Sequence, residues 1–204
     1  YAAVQCAADT DPAALDLLAW RLGQRFTRDY QAAMTERHGP VLHTFANIVH
    51  AASTQGGAVV VGESEATFLQ GFVAGPARNV YLPLALLAHH EYLLLLHHTQ
   101  DCAFLPDAAN PQHDLERIQA LRAALAEFRL YFRYAHVSDM GHHNAVHRHW
   151  RAALDLDRML AELALDVREA DQVLERHHRE HQEHRWRIVG AGTAVLGGFV
   201  LVHE

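Results

Sequence analysis

Lysine is missing from this chain, and all 17 of its basic side chains are arginine. Beside the heavy alanine content, that absence reflects a GC-rich genome and assigns no function. Positive charge is scarce altogether: the formal net charge is -7 with histidine neutral. Such a balance removes nucleic acid as the default direct partner. Cys6 and Cys102 are the only cysteines, too few for a disulfide framework, so a reducing compartment is expected. No signal peptide stands at the start, where Tyr1 takes the place of Met. The uncharged run near the end, Ile188 to Val202, has 15 residues, whereas a membrane span needs about 20. It fits the first part of a span, and both ends of the chain are expected to be cut.

What the chain does have is a heptad seam that leads into that run. Leu156, Leu160, Leu163, Val167, Ala170, Leu174, His177, His181, His184 and Ile188 alternate in steps of four and three. This is the spacing of helices that wrap around one another. Arg185, Trp186 and Arg187 follow as an interfacial anchor. The seam should not face water in a lone monomer. It predicts either parallel stalks in a homo-oligomer or packing on a second helix of the same chain.

Upstream, Asp11 and Pro12 open a helix that the apolar pattern carries through Leu15, Trp20, Phe26 and Tyr30 to Met34. A second short helix is expected from Val41 to Ala52, ended by Gly56 and Gly57. Ala58 to Val61 is β-like but too short to establish a sheet. Leu82 to His98 is apolar nearly all round and predicts a buried helix, but not a span, because His89, His90 and Glu91 sit at its middle. Leu115 to about Val137 predicts another helix, followed by a break at 138–141, a short helix around Trp150, and the long helix from Asp155. The fold class expected is mainly α, with a small β element near 58–62. Its parts are a helical cytosolic domain over 1–137, a stalk region over 138–187 and an apolar membrane segment over 188–204.

Histidine supplies the candidate chemistry. His177, His181 and His184 face one way on a helix. In parallel copies they form rings of imidazoles that bind a divalent metal ion or repel one another once protonated. The plainer reading is a hydrated polar stretch of stalk. His143 and His147 lie four apart, a two-ligand spacing; the plainer reading is a helix start around a buried Trp150. Among His89, His90, His97 and His98, a helical register brings His90 and His98 to one face, two turns apart and too far to share one small ion directly, so buried, protein-bonded histidine is expected there. Three motifs fail. His90 and Glu91 begin a zincin pattern whose second histidine would fall at Leu94. The Gly190 to Thr193 turn follows a polar helix and lacks the third glycine. Glu63-Ser64-Glu65 is no nucleophile elbow. Nothing assigns an enzyme.

The stretch from Asn79 to Tyr92 (NVYLPLALLAHHEY), Phe128 to Tyr134 (FRLYFRY), His143-Asn144, Trp150-Arg151 and the leucine-rich seam resemble divergent CorA-like membrane proteins. The resemblance covers roughly 79–202. It implies a cytosolic domain that sends a stalk into the first of two membrane helices, oligomers around a pore, and cation transport. It also implies, from members beside bacterial defence loci, gating by a nucleotide second messenger and residence in the bacterial inner membrane. The Gly-Met-Asn selectivity motif is absent, so the resemblance carries over architecture and not ion-selecting residues. The rival expectation is a soluble, His-rich helical metal-binding protein or metalloenzyme; a scaffold coiled coil without ligand is the third.

Overall fold

In the computed structural model, the described residues are 1–7, 10–26, 41–62, 71–103, 111–176 and 179. They are mainly helical, with one four-stranded sheet of order β1-β4-β3-β2. The strands are β1 (Ala2–Cys6), β2 (Val41–Phe45), β3 (Ile48–Ala52) and β4 (Gly57–Gly62), and α1 (Pro12–Gly23) follows β1. β1 runs parallel to β4, whereas β2, β3 and β4 form an antiparallel meander.

The expected helix over 41–52 is therefore a β-hairpin, turned at Ala46 and Asn47. Periodicity misleads here because β3 and β4 are buried at every position. A strand covered on both faces reads as a continuous apolar run, which a buried helix also gives. The β-branched Val41, Thr44, Ile48 and Val49 were the discriminating signal. The β element expected near 58–62 is β4, a central strand of the sheet.

α1 packs Leu15 and Ala19 on Val49, Ala51 and Val60 of the sheet. Pro12 stands at its first turn as expected, but Asp11 makes no side-chain cap bond. The helix also ends before Met34: Arg25 adopts φ 58°, and the Phe26 N–H bonds back to the Arg21 carbonyl at 3.0 Å. A left-handed residue there terminates the helix; residues 27–40 lie outside the described residues.

A π-helical segment, Ala77–Tyr81, leads into α2 (Leu82–Ala103). α2 is not buried all round. Leu84, Ala85, Ala88, Glu91 and Leu95 form its buried stripe, while Leu86 and Leu93 are exposed. Then come α3 (Pro111–Glu127), a second π segment (Phe128–Phe132) and α4 (Gly141–Ala153). α4 ends at Leu154. Asp155, at φ 55°, turns the chain, and its carbonyl accepts the Met159 N–H at 3.0 Å as α5 (residues 156–176) begins.

The chain divides into two compact units, each discontinuous in sequence: Tyr1–Leu95 with Phe132–Met159, and Leu96–Tyr131 with the chain from Leu160 onward. In the first unit, β3 alternates. Val49 and Ala51 meet α1, while His50 lies among residues of the π segment and α4. Gly57 takes part in that second face, where an added Cβ would overlap the ring of Trp150. The sheet is thus covered by helices on both faces, as buried central strands require.

The second unit is helical. Arg122 of α3 pairs with Asp171 of α5 at 2.7 Å, and one groove is lined by Leu125 of α3 and Arg129 of the π segment that follows it, with Ala164 and Val167 of α5. Residue numbers rise along one helix as they fall along the other, so the two run antiparallel. Leu160, Leu163, Val167 and Leu174 of the seam are buried, as are Ile118, Leu121 and Leu125 of α3. Of the two packings the heptad spacing allows, packing within one chain is the one observed for these positions. The long stalk is not seen as such: α5 is described to residue 176, and the seam beyond it lies outside the described residues apart from position 179.

Candidate functional site

Two groups of polar side chains are built into the first unit. The first surrounds His50 on β3. His50 is 2 % exposed, and its Nε2 lies 3.1 Å from the Thr44 Oγ1 on the neighbouring strand. Its ring centre is 4.6 Å from that of Tyr81. Tyr81 meets Phe72 at 5.7 Å and His143 at 5.8 Å, and His143 meets His142 at 4.2 Å. The Ser138 hydroxyl lies 2.9 Å from the His143 Nδ1, and the Val137 N–H donates to the Asn144 Oδ1 at 2.9 Å. These two bonds fasten the loop before α4 and so fix how α4 presents its imidazoles.

Burial favours the neutral imidazole at His50, His143 and His149. Burial, and then the fields of His149 and His142, push the His50 pKa down to about 3. Burial also lowers His149 and lowers His143, with His142 adding to it. Burial raises the Tyr81 hydroxyl. Desolvation disfavours the charged form in every case. The His149 Nε2 is buried without a hydrogen-bond partner among the described residues.

The second group is an ion network. Glu91, at the centre of α2, is 0 % exposed. Its Oε2 accepts from Arg151 Nη1 of α4, and its Oε1 lies 3.4 Å from the His147 Nε2. That last contact lacks hydrogen-bond geometry, and both atoms count as unbonded. Burial, then Arg148, lowers the His147 pKa. We read His147 as neutral beside a carboxylate already committed to arginine. Arg151 donates its other amino group to Asp157 Oδ1 at 2.8 Å, and Arg133 reaches the same oxygen at 3.4 Å. Asp157 is largely exposed. One guanidinium thus joins a carboxylate in the core to one at the surface, across α2, α4 and the first turn of α5.

His143 and His147 therefore enter different surroundings, the tyrosine cluster and the ion network. No group of three or more His, Cys, Asp or Glu able to hold a metal ion occurs among the described residues. The expected buried histidines of α2 are also revised. His90 and His97 are exposed, His89 and His98 are half-buried, the former with Nδ1 2.9 Å from the Ala85 carbonyl, and the fully buried residue is Glu91. His177, His181, His184, Arg185, Trp186 and Arg187 lie outside the described residues. Sequence reading missed Arg151 and His50. The signal for Arg151 was its place four residues after His147, on the face that a carboxylate in an apolar helix must find. No helix among the described residues is long and apolar enough to cross a membrane. Compared with known proteins, the chain matches no family model, no curated protein and no solved structure.

Proposed function

We propose that this chain is the cytoplasmic part of a CorA-like membrane channel or effector of the bacterial inner membrane. In this reading the sheet-bearing unit reports its state to the C-terminal helix. The observation that carries it is the Glu91–Arg151–Asp157 chain of charge. It fastens the point where α5 leaves α4, and α5 heads the segment whose sequence runs on to Arg185, Trp186, Arg187 and fifteen uncharged residues. A buried ion pair is a poor source of stability but a good device for fixing one arrangement over another. Set where a helix starts, it couples the first turn of that helix to α2 and α4.

The resemblance to CorA-like proteins supplies the membrane, the homo-oligomer and a nucleotide signal as partners. Oligomer contacts in this reading fall on surfaces other than the stripe of Leu160, Leu163, Val167 and Leu174, which is buried within one chain. The metal-binding reading rests on His177, His181 and His184. The experiment is fractionation of cells that express the full gene product. Retention in the membrane pellet after an alkaline wash is the expected result. A product that stays in the soluble fraction overturns the proposal.

A further inference from the structure

The second unit holds a groove whose charge is opposite in sign to that of the chain. It is a hollow of about 280 Å³ between α3 and α5. Three arginines, Arg122, Arg129 and Arg168, line it beside a single carboxylate, Asp171. Arg122 is already committed to Asp171 at 2.7 Å. Arg129 and Arg168 are exposed and have no ion-pair or hydrogen-bond partner among the described residues. Two uncompensated guanidiniums thus share a concave surface on a molecule of net charge -7. An anion complements two guanidiniums that line one hollow, and the planar fork of arginine matches phosphate oxygens two at a time.

The floor is apolar. Leu125 and Val167 are buried beneath it, and Ala126 and Ala164 leave room where larger side chains would fill the hollow. Arg129 also sits in the π-helical segment Phe128–Phe132. Such widened turns are rare and concentrate at functional sites. At about 280 Å³ the hollow falls just below the roughly 300–1,000 Å³ of drug-sized pockets, which limits it to a ligand as small as a phosphate and one ring.

We propose that this groove binds a small organic phosphate monoester, with its phosphate on Arg129 and Arg168 and a flat apolar body on Leu125 and Val167. The proposal is independent of the membrane reading.

The test is calorimetric titration of the full chain with phenyl phosphate, inorganic phosphate and phenol. Saturable binding of phenyl phosphate is expected, roughly tenfold tighter than either half-ligand, as paired charge-assisted bonds and a covered ring predict. R129A/R168A should lose that binding with an unchanged melting temperature, because both side chains are exposed. R129K/R168K should keep only part of it, since lysine keeps the charge but not the fork. D171N, which frees Arg122, should bind at least as tightly. The proposal is overturned by absence of saturable binding at millimolar ligand, by undiminished binding to R129A/R168A, or by equal affinity for inorganic phosphate and phenyl phosphate.

Discussion

The two units hold their charges in opposite ways. The first buries them: Glu91, Arg151 and His147 are all less than a tenth exposed. The second buries Asp114 alone among its described charged residues, and the Arg122 side chain of its Arg122–Asp171 pair is mostly in solvent. A buried carboxylate must have its partner, because an unpaired charge in the interior is far costlier than the pair is worth. An exposed arginine needs none, which leaves it available to a ligand. The same residue types thus specify structure in one unit and offer recognition in the other.

The sharpest way to break the contrast is to remove Arg151. Arg151→Met leaves Glu91 buried and unpaired, and should cost about 3–5 kcal/mol, read from denaturant unfolding. The double variant Glu91→Leu with Arg151→Met should recover much of that loss. A cost below 1 kcal/mol for the single variant, about the value of a surface pair, would mean that Glu91 is already solvated. The next effect in size concerns Gly57. Gly57→Ala drives a methyl into the Trp150 ring and should cost about 1–3 kcal/mol by overpacking, with Trp150 fluorescence shifted. An unchanged melting curve would show that the ring has room to move.

Acid should act on the first unit in particular. The folded pKa of His50 lies near 3, below the unfolded value of about 6.5. Between those values the unfolded chain binds the extra proton. The stability His50 contributes is therefore whole above about pH 6.5 and lost as pH falls, by about 1.4 kcal/mol per pH unit. His143, His147 and His149 are shifted the same way. His50→Gln should flatten the profile of stability between pH 6.5 and 4.5; an unaltered slope would clear His50 of the role. The smallest effect belongs to the second unit. Arg122→Ala should cost under about 1 kcal/mol, as exposed pairs do, and the cost should shrink further in high salt.

The sequence made parts of this legible. Trp150 as a buried anchor, the break before α4, α2 as a long apolar helix, and the helical seam from 156 are all visible as pattern. The sheet was hidden because β3 and β4 are buried on both faces, so alternation, the usual signature of a strand, is absent. α1 was drawn too long because apolar spacing continues past Arg25, while a left-handed turn at a non-glycine residue leaves no mark in composition. The ion network was half visible. Glu91 stood out in an apolar helix, but its partner lies 60 residues away on α4, and only the fold brings the two together. The His143–His147 spacing was a true helical face, yet neighbours on one face entered two separate environments.

Hydrogen exchange of Asp157→Asn against the native chain tests the central claim, that Arg151 ties the start of α5 to the buried carboxylate. Asp157 is exposed, so the variant keeps its fold while losing the negative charge that strengthens its bonds to Arg151 and Arg133. The account predicts roughly fivefold faster exchange in the first turn of α5, equivalent to about 1 kcal/mol of local opening, with β3 and β4 unchanged. Exchange in the α5 turn that matches the native chain would contradict it.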